Sequence, residues 1–120
     1  MNSKLHHIQN WPELAQNAGW SVSRLAALVH VSNRGLERYF HTAKRQTPHI
    51  WLFEQRQKKG FDLLRGARSV KEVAVLLGYD HATQFSRDFK VYWGHPPSHS
   101  GAVRNVRDVA NRSEMSQIVS

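Results

Sequence analysis

"SVKEVAVLLGYDHATQFSRDFK", residues Ser69 to Lys90, repeats a pattern already present in "SVSRLAALVHVSNRGLERYFH", residues Ser21 to His41. Both stretches open Ser-Val. Both carry an apolar–alanine pair, Leu25-Ala26 and Val73-Ala74, followed by two apolar residues, Leu28-Val29 and Leu76-Leu77. With one extra residue in the second copy, Leu36, Arg38 and Phe40 align with Phe85, Arg87 and Phe89, and the register runs on to Pro48 and Pro97. The apolar spacing has the period of helices, about 3.6 residues, and not the two-residue period of strands. Each copy therefore reads as helix, short break, helix, the spacing of a helix-turn-helix. An αα-hairpin that only packs has the same spacing, and a single copy would favour that plainer reading.

Start and stop signals fill in the rest of the chain. Pro12 suits the first turn of a short helix over about residues 12–18, and Gly19 suits its stop. Ser21, Ser32, Ser69 and Asp80 are candidate N-caps, and Gly78 and Gly94 candidate stops. Pro48 opens one long helical pattern that reaches Arg65, with Ile50, Trp51, Leu52, Phe53, Phe61 and Leu64 apolar. "HPPSHSG" reads as a turn or helical stub, and residues 103–120 lack an apolar face and read as a mobile tail. The expectation is an all-α fold of six or seven helices and no strand. Two helix-turn-helix subdomains, 20–47 and 69–102, are joined by a connecting helix over 48–68. The N-terminal segment is 1–19.

Composition narrows the function. In 120 residues, 17 Lys and Arg against 9 Asp and Glu give a net charge of +8, which favours a polyanionic partner such as nucleic acid, or an anionic membrane surface. The absence of cysteine excludes disulfides, thiolate metal sites and cysteine nucleophiles. No apolar run approaches the ~20 residues needed to cross a bilayer. No signal core stands at the N-terminus, so the expected location is the cytoplasm. No nucleophile–base pair or phosphate loop is present, so neither an enzyme nor a cofactor is expected. His95 and His99 are four apart but are separated by Pro96 and Pro97, and no carboxylate or cysteine completes a metal set. The four tryptophans, Trp11, Trp20, Trp51 and Trp93, lie beside apolar stripes or helix ends and are expected in the core. Asp62 reads as part of a solvated face.

The outward faces of the two second helices carry the chemistry. In the first copy they hold Asn33, Arg34, Glu37, Arg38 and His41, with Arg34 and Arg38 on one side of the helix. In the second they hold His81, Ala82, Thr83, Ser86, Arg87 and Lys90. Arginine can bridge O6 and N7 of guanine, while Ser and Thr bond several bases and Ala suits a thymine methyl. A connector of about 18 residues spans ~27 Å, against the ~34 Å between successive major grooves on one face of the duplex. Ser32, His41, Lys44, Arg45, Lys58, Lys59, Arg68, His81 and Lys90 are candidate phosphate contacts, with Arg65 and Lys71 beside them. Gly60 within the connector should lower its stability, so alanine there is expected to stabilise by up to about 1 kcal/mol if the site has room for a methyl.

"FSRDFK" followed by "WGHPPS" brings the resemblance into focus. The span from about Trp20 to Ser98 resembles the DNA-binding domain of the AraC/XylS family of bacterial transcription regulators. "SRLAALVHVSNRGLERYFHTAKRQTP" looks like its first helix-turn-helix, "PHIWLFEQR" its connecting helix, and "SVKEVAVLLGYDHATQFSRDFKVYWGHPPS" its second. The resemblance implies a monomeric, sequence-specific reader of double-stranded DNA that regulates transcription; the expected location is the bacterial cytoplasm, at the nucleoid, and RNA polymerase is a further candidate partner. The resemblance places Arg34, Glu37 and Arg38 at base-facing positions of the first reading helix, and Ala82, Thr83, Ser86 and Arg87 at those of the second. His30 stands where the family usually has Gly, Gln57 where it has an aliphatic, and Gly60 where it has Ala. Ser100 and Gly101 replace its usual aromatic–Arg pair, which implies a short or loosely docked last helix. The family's usual sensory domain is absent from these residues, as in a stand-alone regulator or a fragment of a longer chain. Beside this reading stand a non-specific architectural nucleic-acid binder and a helical protein-interaction module.

Overall fold

Side-chain caps mark the start of four helices of the chain. The computed structural model describes residues 3–66 and 68–97, which form a short 3-10 helix, Ser3–His7, and six α-helices, with no strand among the described residues. These are α1 (Trp11–Asn17), α2 (Val22–Leu28), α3 (Asn33–Ala43), α4 (Pro48–Leu64), α5 (Val70–Leu76) and α6 (Ala82–Trp93). Ser21 Oγ accepts from the Arg24 amide (3.3 Å), Ser32 Oγ from Gly35 (3.0 Å) and Thr47 Oγ1 from Ile50 (3.1 Å). Ser69 and Glu72 exchange bonds of 3.1 and 2.9 Å in a full capping box. The all-α expectation holds, and the sequence-read caps at Ser21, Ser32 and Ser69 are all present. The stub at "HPPSHSG" lies largely, and His99 and the tail at 103–120 wholly, outside the described residues.

The turn between the two helices of each copy has the same backbone. His30 has φ 62° and Gly78 φ 82°, both left-handed. The His30 amide donates to Ala27 O (3.2 Å) and Val31 to Ala26 O (3.0 Å); Gly78 donates to Val75 O (3.0 Å) and Tyr79 to Ala74 O (2.9 Å). This is the Schellman arrangement, used twice. The copies then diverge by one residue. Asp80 is not the cap of α6: it is the extra residue of a longer turn, and the cap position falls to His81, whose side chain makes no capping bond.

The chain forms two compact units, one up to Arg56 and the other from Gln57. In the first, Trp11 stacks on Tyr39 (5.6 Å between centroids) and meets Phe40 and Trp51 edge-on at 5.3 and 6.3 Å. Leu25, Ala26, Val29, Leu36 and Leu52 complete the core. Leu5, in the 3-10 helix, is fully buried there too, although the sequence reading gave the segment before Trp11 no role in the core. Two other expectations change. Ile50, counted in the apolar pattern, is 47% exposed, and Leu28 and Leu76, matched in the repeat, both face solvent. Of the tryptophans, Trp11 and Trp51 are buried, whereas Trp20 and Trp93 are half-buried.

In the second unit Phe85 and Phe89 are fully buried at 5.5 Å from one another, and Leu64, Val73, Ala74 and Leu77 are buried as well. Gln57 is also fully buried. Its Nε2 donates to the Tyr79 hydroxyl (2.8 Å), while its Oε1 has no hydrogen-bond partner among the described residues. An orphaned buried acceptor of this kind costs about 1–3 kcal/mol. Pro48 and Pro97, which close the two copies, are both fully buried.

Gly60 is a point of close approach, which reverses the expectation drawn from helix propensity. A Cβ there would lie 2.9 Å from Phe85 Cε1 and 3.1 Å from both Phe85 Cζ and Leu77 Cδ1. The ring and the leucine are themselves fully buried, so neither moves aside without disturbing its own packing. Overpacking costs about 1–3 kcal/mol and outweighs the propensity gain of about 1 kcal/mol. Gly60→Ala is therefore expected to lower stability by up to about 2 kcal/mol, seen as a lower midpoint in thermal or urea unfolding.

Candidate nucleic-acid interface

The exposed face of α3 is the product of its buried one. Leu36, Tyr39 and Phe40 point into the first unit, which leaves Asn33, Arg34, Glu37, Arg38 and His41 exposed on the opposite side. Among the described residues no hydrogen bond or ion pair engages the Arg34 or Arg38 side chain, so both guanidinium groups keep all five donors for another molecule. Asn33 is different. Its Nδ2 donates to Ser23 Oγ on α2 (3.2 Å), tying the start of α3 back to its bracing helix. Ser23, an isolated serine ten residues upstream, gives no signal in the sequence until the turn brings it near.

On α6, Phe85 and Phe89 are buried, and Thr83, Arg87 and Lys90 are exposed. Ala82 and Ser86 are only half-exposed, so packing already covers part of two expected readers. Gln84, passed over in the sequence, is exposed one turn before Arg87 and carries the amide that can pair with adenine. Val91, near the end of the same helix, is 73% exposed.

The residues expected at phosphates fall into several settings. His41, Arg45, Lys58, Arg68, His81 and Lys90 are exposed, and Lys59 is half-buried. Ser32 Oγ is occupied as the α3 cap. The Lys44 ammonium sits over three rings, 5.7 Å from the centroid of Trp11 and 5.6 Å from those of Phe40 and Trp51. Cation–π attraction of this geometry holds the charge against the core and not out toward a ligand. Of the two other cations placed nearby, Arg65 pairs with Asp62 across 3.8 Å on an exposed surface and Lys71 is exposed. His95 lies edge-on to Phe89 at 6.0 Å. No group of three potential metal ligands occurs among the described residues, and no helix among them is long and apolar enough to cross a membrane.

Residues 25–100 match the family model of the helix-turn-helix domain, and this span contains both turns and both exposed helices. The chain belongs to the AraC-type helix-turn-helix family. Its fold recurs in a DNA-binding transcriptional dual regulator from Escherichia coli K-12, at 23% identity and a TM-score of 0.71, over 80% of this chain and 89% of that one. A transcriptional regulator with an AraC-type DNA-binding domain from Chromobacterium violaceum shares 24% identity, with a TM-score of 0.68 over 77% and 86% of the two chains. The C-terminal domain of a two-component response regulator from Fusobacterium nucleatum subsp. nucleatum gives 23% identity and a TM-score of 0.69 over 84% and 99%. No curated protein sequence matches the chain. An AraC-type domain is a DNA-binding module of transcription regulators and not an enzyme.

Proposed function

We propose that this AraC-type domain reads double-stranded DNA sequence-specifically as a single chain, with α3 and α6 each entering a major groove, and regulates transcription in the bacterial cytoplasm. The observation that carries this is the duplicated helix-turn-helix whose second helices each present an unpaired arginine at the matched position, Arg38 and Arg87. Arg34, Glu37 and Arg38 would read bases in one half of the site, and Thr83, Gln84, Ser86 and Arg87 in the other, with Ala82 against a thymine methyl. Asn33 would act chiefly on the angle of α3. His41, Arg45, Lys58, Lys59, Arg68, His81 and Lys90 would contact phosphates and fix the register. RNA polymerase is a second candidate partner once the domain is on DNA. A non-specific architectural binder would share the +8 charge, and competition by random duplex separates it from a sequence reader.

Three outcomes test the proposal. Neutralising about six phosphates gives a log–log slope of binding against salt near −5; a slope near zero, or preference for single strands, would remove DNA reading. Arg38→Ala should cost about 1–3 kcal/mol on the preferred duplex and relax its sequence preference. Lys58→Ala should weaken good and poor sites alike, and equal, non-discriminating losses for both would place Arg38 on a phosphate. Finally, selection from a random duplex pool should return an asymmetric site of about two helical turns. Its half under α3, with two arginines, should be sharp and G-containing. Its half under α6 should be weaker and A/T-tolerant, as the partial covering of Ala82 and Ser86 supports. A palindromic site, or two chains on the minimal site, counts against the single-chain arrangement.

A further inference from the structure

Three polar side chains of the second unit form one hydrogen-bond chain behind α6. Gln57 Nε2 donates to the Tyr79 hydroxyl at 2.8 Å, and that hydroxyl donates to Asp88 Oδ2 at 2.9 Å. The direction is dictated by chemistry: a carboxylate only accepts, so the hydroxyl must give its proton to Asp88, and Gln57 must present its NH2 group. A second bond arrives at the same residue, from Trp93 Nε1 to the main-chain carbonyl of Gln57 at 3.2 Å. α6 is thus tied to Gln57 at two places, through Asp88 by way of Tyr79 and through Trp93 directly.

Where those two ties fall on the helix matters. With 3.6 residues per turn, Asp88 lies ~80° to one side of the midline of the buried Phe85–Phe89 stripe, Trp93 lies ~60° to the other, and Arg87 lies ~180° away, facing out. Rotation of α6 about its axis in either direction stretches one tie. The phenylalanine rings between them supply apolar contact, which lacks the donor–acceptor direction of a hydrogen bond. A rotation of about 10° moves a side-chain tip at the ~6 Å helix radius by ~1 Å. That exceeds the ~0.5 Å range over which a hydrogen bond to a base edge keeps its strength. Gln57 also retains an orphaned, fully buried Oε1, which a leucine of similar size would not have. Stability alone does not account for an amide at this place.

The geometry points to Gln57, Tyr79 and Asp88 as positioning residues that fix the rotation of α6, and so set the sequence preference of the second reader without touching DNA. This inference rests on the DNA-reading function proposed above. It is tested by measuring, for the full 120-residue chain, binding to the selected duplex and to duplexes altered in one half-site at a time. Gln57→Leu and Tyr79→Phe should fold with native helix content, Gln57→Leu melting at or above wild type. Both should lose about tenfold in discrimination at the α6 half, keep discrimination at the α3 half, and bind random duplex unchanged. Asp88→Asn, whose carbonyl still accepts from Tyr79, should keep the α6 preference, whereas Asp88→Ala should lose it. Variants that discriminate as well as wild type, or that lose affinity equally on every duplex, overturn the positioning role alone. A wild-type chain that does not discriminate overturns the DNA-reading function itself, and the positioning role with it.

Discussion

The left-handed residue that ends α2 and α5 governs the rest of the molecule. With His30 and Gly78 at positive φ, the amides of that residue and of the one after it turn back onto carbonyls of the finishing helix, and the chain leaves at a fixed angle. That angle decides which face of α3 and α6 is buried and which is presented. Glycine adopts the conformation freely, whereas histidine occupies it at some energetic cost, of order 1–2 kcal/mol. The first turn accepts that cost because Val29 behind it and Leu36 beyond it are both locked in the core.

The two units meet the same requirement with different interiors. The first is built on aromatic faces, with Trp11, Tyr39, Phe40 and Trp51 in mutual contact and the Lys44 ammonium over three of the rings. Its exposed helix carries two unpaired arginines, and a bond from Asn33 to Ser23 steadies its first turn. The second has an aromatic cluster of its own around Phe61, Phe85, Phe89 and Trp93, a glycine pressed against Phe85 at Gly60, and a polar chain from Gln57 to Asp88. A repeat that is nearly regular in its apolar positions therefore supports two readers with different chemistry and different means of orientation.

Helix boundaries, the repeat, the cap serines and the outward arginines were legible in the sequence because each rests on local rules. Capping depends on residues three apart, amphipathic periodicity on residues three and four apart, and the glycine stops on a single φ. The family was legible for the same reason, since its signature is a run of such local choices ending in "FSRDFK" and "WGHPPS".

What the tertiary structure decided are the encounters between residues far apart in the chain. Whether Gly60 has room for a methyl depends on where Phe85 and Leu77 come to rest, about 25 and 17 residues downstream, and no propensity scale contains that distance. Asp80 reads as a cap until the turn proves one residue longer than its counterpart. Leu5 reads as part of an uncommitted N-terminal segment until it is found in the core, and Lys44 as a phosphate contact until its ammonium is found over three rings. Gln57 reads as a misplaced amide until Tyr79 and Asp88 arrive beside it. Each of these turns on packing in three dimensions, where burial and partner identity are set by the whole fold and not by sequence neighbours.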